Sequence, residues 1–276
     1  MQKISTHNID LLIYLRGLFQ LMKPRVMSLV IFTCVVGLLI APQEISSLNA
    51  AMSLIAVALG AGAAGTLNMW YEADVDAIMT RTCLRPIPSG TITKNHALLF
   101  GIVTSVISVV ALYFFSNLVS AIILAITILF YVVIYTIWLK RKTPQNIVIG
   151  GAAGALPPVI GWSIATGNIS LEPVLLFLII FFWTPSHFWA LSLYKSDDYK
   201  KANIPMLPVT AGIMTTKINI LVYSLILFAV ALTPFFFSYS GIIYFLFALV
   251  IGCYYVYLCS KLLIEKRIKL EKILAK

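Results

Sequence analysis

The sequence predicts an all-α fold, a polytopic bundle of transmembrane helices, on three observations. Of its 276 residues 61% are hydrophobic and only 11% are charged, and the mean hydropathy of +0.97 lies outside the range of soluble globular domains. Apolar runs recur at roughly 27–42, 50–70, 97–115, 118–138, 146–166, 173–193, 218–237 and 241–263, each near the ~20 residues that cross a hydrocarbon core as a helix. None alternates as barrel strands do, and lipid offers no partner for free backbone groups, so runs of this length are helices. Eight spans and their connections occupy the chain, which reads as a single domain over 1–276, with an N-terminal segment at 1–26 and a basic tail at 264–276.

The net charge of +10 does not indicate nucleic acid, because Lys and Arg lie between apolar runs and form no basic face with interleaved aromatics. Their distribution is topogenic. Lys3, Arg16, Lys23 and Arg25 precede the first span; Arg81, Arg85 and Lys94 follow the second; Lys140, Arg141 and Lys142 follow the fourth. Lys195, Lys200, Lys201 and Lys217 follow the sixth, and the rest lie beyond residue 260. The opposite connections carry only Glu44 and Glu172. The positive-inside rule therefore places both termini and the two longest connections, 71–96 and 194–217, in the cytoplasm. The N-terminus contains Asp10 and lacks both a small-residue cleavage site and transit-peptide composition, which favours a bacterial inner membrane. Cys34, Cys83, Cys253 and Cys259 are scattered and read as small apolar fillers, with neither a disulfide framework nor a metal knuckle.

The two long connections hold five of the ten acids: Glu72, Asp74, Asp76, Asp197 and Asp198. Their similar positions, after the second and sixth spans, suggest an internal duplication with one site between the halves. In NMWYEADVDAIMTRTCLRPIPSG, Asn68, Glu72 and Asp76 follow at i, i+4 and i+8, spreading over ~80° of one helical face along ~12 Å. Asp74 points elsewhere. Oxygen ligands without nearby Cys or clustered His suit Mg²⁺, which takes one or two carboxylates and shares phosphate oxygens. Arg81 and Arg85 follow as phosphate clamps. The competing reading is a solvated loop in which the acids pair with those arginines.

In TPSHFWALSLYKSDDYKKANIPMLPV, an unbroken helix would bring His187, Tyr194 and Asp198 to within ~20° of one face. Asp198 would sit at the rim and His187 ~16 Å deeper. Hydrogen bonding across helices is the plainer role for such a histidine. Trp183, Phe188 and Trp189 read as packing or interfacial anchors, or as an aromatic wall for a flat ligand. In YTIWLKRKTPQNIVIGGAAGALPPVIGW, Lys140 and Arg141 stand beside the acidic loops as candidate diphosphate ligands, and GGAAGALPP combines close packing with a kink.

Together with LMKPRVMSLVIFT, these segments resemble the protoheme IX farnesyltransferases, or heme O synthases, of the UbiA-type superfamily of intramembrane prenyltransferases. The match runs from residue 21 to about 209. N-x-x-x-[DE]-x-x-x-D by itself indicates the superfamily; the TPQN-GGAAGA-PP and HF…DDYKKANIPMLPV runs point to the heme branch. The resemblance implies that Asn68, Glu72 and Asp76 form a first Mg²⁺–diphosphate motif and Asp198 the second. Arg81, Arg85 and Lys140 would lie near the diphosphate; Arg141, Tyr194, Lys195 and Asp197 are further candidate substrate-binding residues. Two departures stand out. The second motif usually has two carboxylates four apart, whereas Asp197 and Asp198 are adjacent, and such enzymes usually have nine spans where eight are found.

The implied reaction transfers the farnesyl group of farnesyl diphosphate to a vinyl group of protoheme IX with addition of water. Heme O results, for respiratory terminal oxidases, with heme A synthase or the oxidase assembly machinery as receiving partners. His187 is chemically able to serve as base or to bind heme iron. Two alternatives share some features: prenylation of a hydroxybenzoate, quinone precursor or chlorophyllide, and a secondary transporter. A transporter's charges should lie deep and be accessible from both sides, but these acids cluster at one rim.

Overall fold

A computed structural model describes residues 11–264, which are helical throughout apart from the connections. Residues 1–10 and most of the basic tail assigned to 264–276 lie outside the described residues. Among the described residues seven helices are long and apolar enough to cross a membrane, with an eighth span where a bent pair counts as one. That pair is α1 (Leu11–Leu21) and α2 (Pro24–Leu39), which meet at 48°. At 1.5 Å per residue the 16 residues of α2 reach only about 24 Å, so the span needs part of α1, which the sequence reading left in the N-terminal segment. The break has a local cause. Pro24 disfavours the right-handed helical region for the residue before it, and Lys23 adopts φ 52°, ψ 62°.

Helix α3 (Ser47–Tyr71) is capped by the Ser46 hydroxyl, which accepts from the Asn49 amide. It runs through the centre of the bundle, buried almost continuously from Gly60 to Met69. The short α4 (Ala73–Ile78) continues it at the rim. Helix α5 (Lys94–Phe115) starts at a Thr93 cap. Asn117 caps α6 (Leu118–Leu129) and donates from Nδ2 to the carbonyls of Ser163 and Ile164, so one side chain also ties α6 to the end of another helix. From Phe130 to Leu139 the span continues as a π-helix.

The run 146–166 forms two pieces, α7 (Asn146–Ala155) and α8 (Pro157–Thr166), broken where Pro157 and Pro158 begin the second. Helix α8 packs closely on α2. A β-carbon on Gly161 would overlap the carbonyl oxygen of Cys34, and one on Gly37 would overlap that of Pro158. The chain then forms α9 (Leu171–Tyr194), the rim helices α10 (Ser196–Lys201) and α11 (Leu207–Thr210), and the outgoing spans α12 (Ile213–Phe236) and α13 (Ile242–Ile264). The main core joins Ala56, Val57, Leu67, Leu124, Ile128 and Ile160. Outward-facing Leu29, Phe32, Ile107 and Phe247 are exposed, as a bundle solvated by lipid requires. All four cysteines are free.

Candidate active site

The ladder survives the junction between α3 and α4. The Glu72 amide donates to the Asn68 carbonyl and the Asp76 amide to the Glu72 carbonyl, so the three side chains keep the four-residue register. They are 2%, 3% and 3% exposed, and a buried charge at that level needs a partner. Each has one. Lys140 Nζ stands 2.5 and 2.6 Å from the two Glu72 carboxylate oxygens. Arg85 Nη1 donates to both Asp76 oxygens at 2.8 and 2.7 Å. Lys23 Nζ donates to Asn68 Oδ1 at 2.5 Å. Three basic side chains thus line one face opposite the ladder.

Asp74 departs from this face, as its register requires. It is bound by Arg141 at 2.7 and 2.9 Å, with its side chain 60% exposed. These hydrogen bonds hold its carboxyl below the ordinary value of 3.8. Arg141, expected near diphosphate, is therefore turned to Asp74 and to the ring of Tyr71. Arg81 is exposed, so of the two expected clamps it is Arg85 that meets the ladder.

The second acidic segment approaches through one residue. The Thr80 hydroxyl lies 3.1 and 2.9 Å from the two Asp198 oxygens and donates to them, joining the loop after α4 to α10. Asp197 is exposed. The continuous helix that would align His187, Tyr194 and Asp198 is interrupted at Lys195 (φ −114°, ψ 22°), which separates α9 from α10. Lys195 Nζ instead lies 4.8 Å from the centre of the Tyr194 ring. His187 is stacked on Trp183, with ring centroids 4.4 Å apart.

A central cavity is bounded by α2, α3, α6 with its π extension, α7 and α8. Its wall is apolar, from Val57, Leu124 and Ile160 to Tyr131, and Ala153, Gly154 and Pro157 of the GGAAGALPP run contribute to it. Lys23 also lines it, so the lysine on Asn68 joins the polar ladder to the apolar cavity. Another cavity lies among α9, α12 and α13 and includes Trp183 and Tyr255. His187, through Trp183, belongs to that side of the bundle.

No group of three or more His, Cys, Asp or Glu is arranged to hold a metal among the described residues. Asn68, Glu72, Asp76 and Asp198 nevertheless supply only oxygen atoms, and a cation that shares its shell with phosphate needs only one or two carboxylates from the protein. Sequence reasoning missed three residues here: Lys23, Thr80 and Thr136, which accepts from Asn68 Nδ2 at 3.0 Å. The signal for Lys23 was present, since a Lys-Pro step before an apolar run bends the chain there; it was counted only as topogenic charge.

The architecture and sequence have close counterparts. The chain is 66% identical to protoheme IX farnesyltransferase of Pelagibacter ubique over 245 residues, covering 89% of this chain and 81% of that one. It is 55% identical to protoheme IX farnesyltransferase 2 of Mesorhizobium japonicum, covering 89% and 78%. Its fold matches a digeranylgeranylglyceryl phosphate synthase structure with a TM-score of 0.80 at 20% identity, over 95% of this chain and 92% of the other. It also matches a UbiA homologue from Archaeoglobus fulgidus bound to GPP and Mg²⁺, with a TM-score of 0.73 at 17% identity, over 94% and 95%. The model of the UbiA prenyltransferase family matches residues 30–273, and the chain belongs to that family.

Proposed function

We propose that the protein is a heme O synthase, transferring the farnesyl group of farnesyl diphosphate to a vinyl group of protoheme IX with addition of water. One observation carries the reading of the site: an oxygen ladder faced by Lys23, Arg85 and Lys140 opens, through Lys23, onto an apolar cavity. A ligand with a multiply charged head and a branched hydrocarbon tail fits that division. The identity of the acceptor rests on the relatives named for protoheme IX.

The diphosphate would lie against Lys23, Arg85 and Lys140, displacing them in part from Asn68, Asp76 and Glu72, the partners they now hold. Asn68, Glu72 and Asp76, with Asp198 across the Thr80 contact, would then hold Mg²⁺. When bound, Mg²⁺ supplies neutralisation of the charge that develops on the leaving diphosphate. The lysines and arginine add to it at a site already built for negative charge, without reorganisation during the reaction. The C1–O bond of farnesyl diphosphate breaks with its electron pair passing to the diphosphate, leaving an allylic cation. The vinyl π electrons form the new carbon–carbon bond, and water adds to the porphyrin-conjugated cation, losing a proton to give the alcohol. The apolar wall and Tyr131 keep other water from the first cation. Asp74 with Arg141, and Asp197, are assigned to the rim outside the metal shell. His187 remains a candidate for the heme side, together with Trp183.

The positive-inside distribution puts this end of the bundle in the cytoplasm, with the protein in a bacterial inner membrane. The deciding assay combines purified protein, heme b, farnesyl diphosphate and Mg²⁺, and identifies the pigment by mass. Heme O is expected. Heme b recovered unchanged from protein that binds it in a competent membrane mimic rejects the assignment. Glu72→Gln and Asp76→Asn should each lower turnover by at least about 100-fold while heme binding, followed by absorbance, is retained.

A further inference from the structure

Asn68 differs from the other members of the ladder in that its end can be reversed. An amide presents an acceptor oxygen and a donor nitrogen in nearly the same shape, and only the oxygen can ligate a cation. Two neighbours decide which atom faces the site. On one side Lys23 Nζ donates to Oδ1 at 2.5 Å. On the other side Nδ2 donates to Thr136 Oγ1 at 3.0 Å. The Thr136 proton is already committed, donated to the Tyr131 carbonyl at 2.8 Å. Its oxygen has only lone pairs left for Asn68, and therefore accepts only from NH₂.

This commitment depends on the unusual turn. A helical threonine ordinarily bonds the carbonyl three or four residues back; here the partner is five back, in the π-helix Phe130–Leu139. Gly150, the first glycine of GGAAGALPP, seats that segment, since a β-carbon there would overlap the Tyr135 ring. Single π turns inside α-helices recur at functional sites. Thr136 and Asn68 are 0% and 2% exposed, so no bulk water replaces either partner.

We propose that Thr136 is a positioning residue for prenyl transfer: by accepting from Asn68 Nδ2, it holds the amide with its oxygen toward the diphosphate and its divalent cation. The proposal rests on the reading of the ladder as the diphosphate site. Thr136→Val keeps the shape and removes the acceptor, Thr136→Ala removes both, and Thr136→Ser keeps the hydroxyl. The test follows Mn²⁺ binding by electron paramagnetic resonance, with the protein holding the unreactive thio analogue of farnesyl diphosphate. Heat unfolding and the Mg²⁺ dependence of turnover are recorded alongside.

Expected are a rise of about tenfold in the Mn²⁺ dissociation constant for Thr136→Val and Thr136→Ala, a parallel rise in the Mg²⁺ needed for half-maximal rate, an unchanged KM for heme, and wild-type behaviour for Thr136→Ser. Wild-type Mn²⁺ affinity in both the valine and alanine variants overturns the proposal, whatever their unfolding temperatures. So does a serine variant as weak as valine. Failure of the underlying site reading is distinguishable, because wild-type protein itself would then bind no Mn²⁺ with the analogue.

Discussion

Thr80 and Asp198, 118 positions apart in the chain, are joined by a hydroxyl that lies 3.1 and 2.9 Å from the two carboxylate oxygens. The contact joins the loop after α4 to the rim helix α10. A cation bound by both segments would thus meet a preformed arrangement on the side of Asp198.

Thr80→Val should loosen that closure. A hydrogen bond to a charged group contributes ~1.5–3 kcal/mol when shielded, and this one is at an exposed rim, so the expected loss in kcat/KM for farnesyl diphosphate is about threefold to tenfold. Steady-state kinetics on the purified variant measure it. No change would show that Asp198 is placed by the backbone of α10 alone.

Lys140→Met should destabilise the protein by about 3 kcal/mol, because it strands a buried carboxylate at Glu72. Glu72→Gln in the same chain should return most of that stability and none of the activity. Denaturant unfolding of the single and double variants in detergent measures the coupling. A single variant as stable as wild type would mean that Glu72 finds another cation or takes up a proton.

Asp74→Asn reports on the rim pair. The bound Arg141 lowers the Asp74 carboxyl below its ordinary 3.8, so the contribution to stability is full above that value and disappears as pH falls through the lower folded value. The pair is well exposed, which limits the effect at pH 7 to less than about 1 kcal/mol. Turnover should be nearly unchanged. A large loss of activity would place Asp74 in the metal shell.

Gly161→Ala should be among the most damaging small substitutions. Its added carbon meets backbone, the Cys34 carbonyl, and no side-chain rotation can relieve the overlap. Separation of α2 from α8 is expected, at a cost of about 3 kcal/mol or more, together with a distorted central cavity. Gly154→Ala, where a β-carbon meets nothing within 4 Å, is the control. Unfolding temperatures of the two variants in one detergent make the comparison.

By itself the sequence determined the class of fold, seven of the span positions to within a few residues, the shared face of Asn68, Glu72 and Asp76, and the divergence of Asp74. These are consequences of local periodicity: a residue's face follows from helical rise and twist, and a span's length from bilayer thickness. The first span was displaced because Pro24 interrupts it, and its other half lay in a run with Arg16 that reads as polar flank. The partners of the ladder were decided only in three dimensions. Lys23, Lys140 and Thr136 come from segments 45, 68 and 68 positions distant from their partners, and composition does not distinguish a topogenic lysine from one folded inward. Arg141 and Lys140, adjacent in sequence, illustrate the limit: one turns out to Asp74, the other in to Glu72. Helix packing sets that choice, because burying Glu72 requires a cation beside it while Asp74 remains in contact with water.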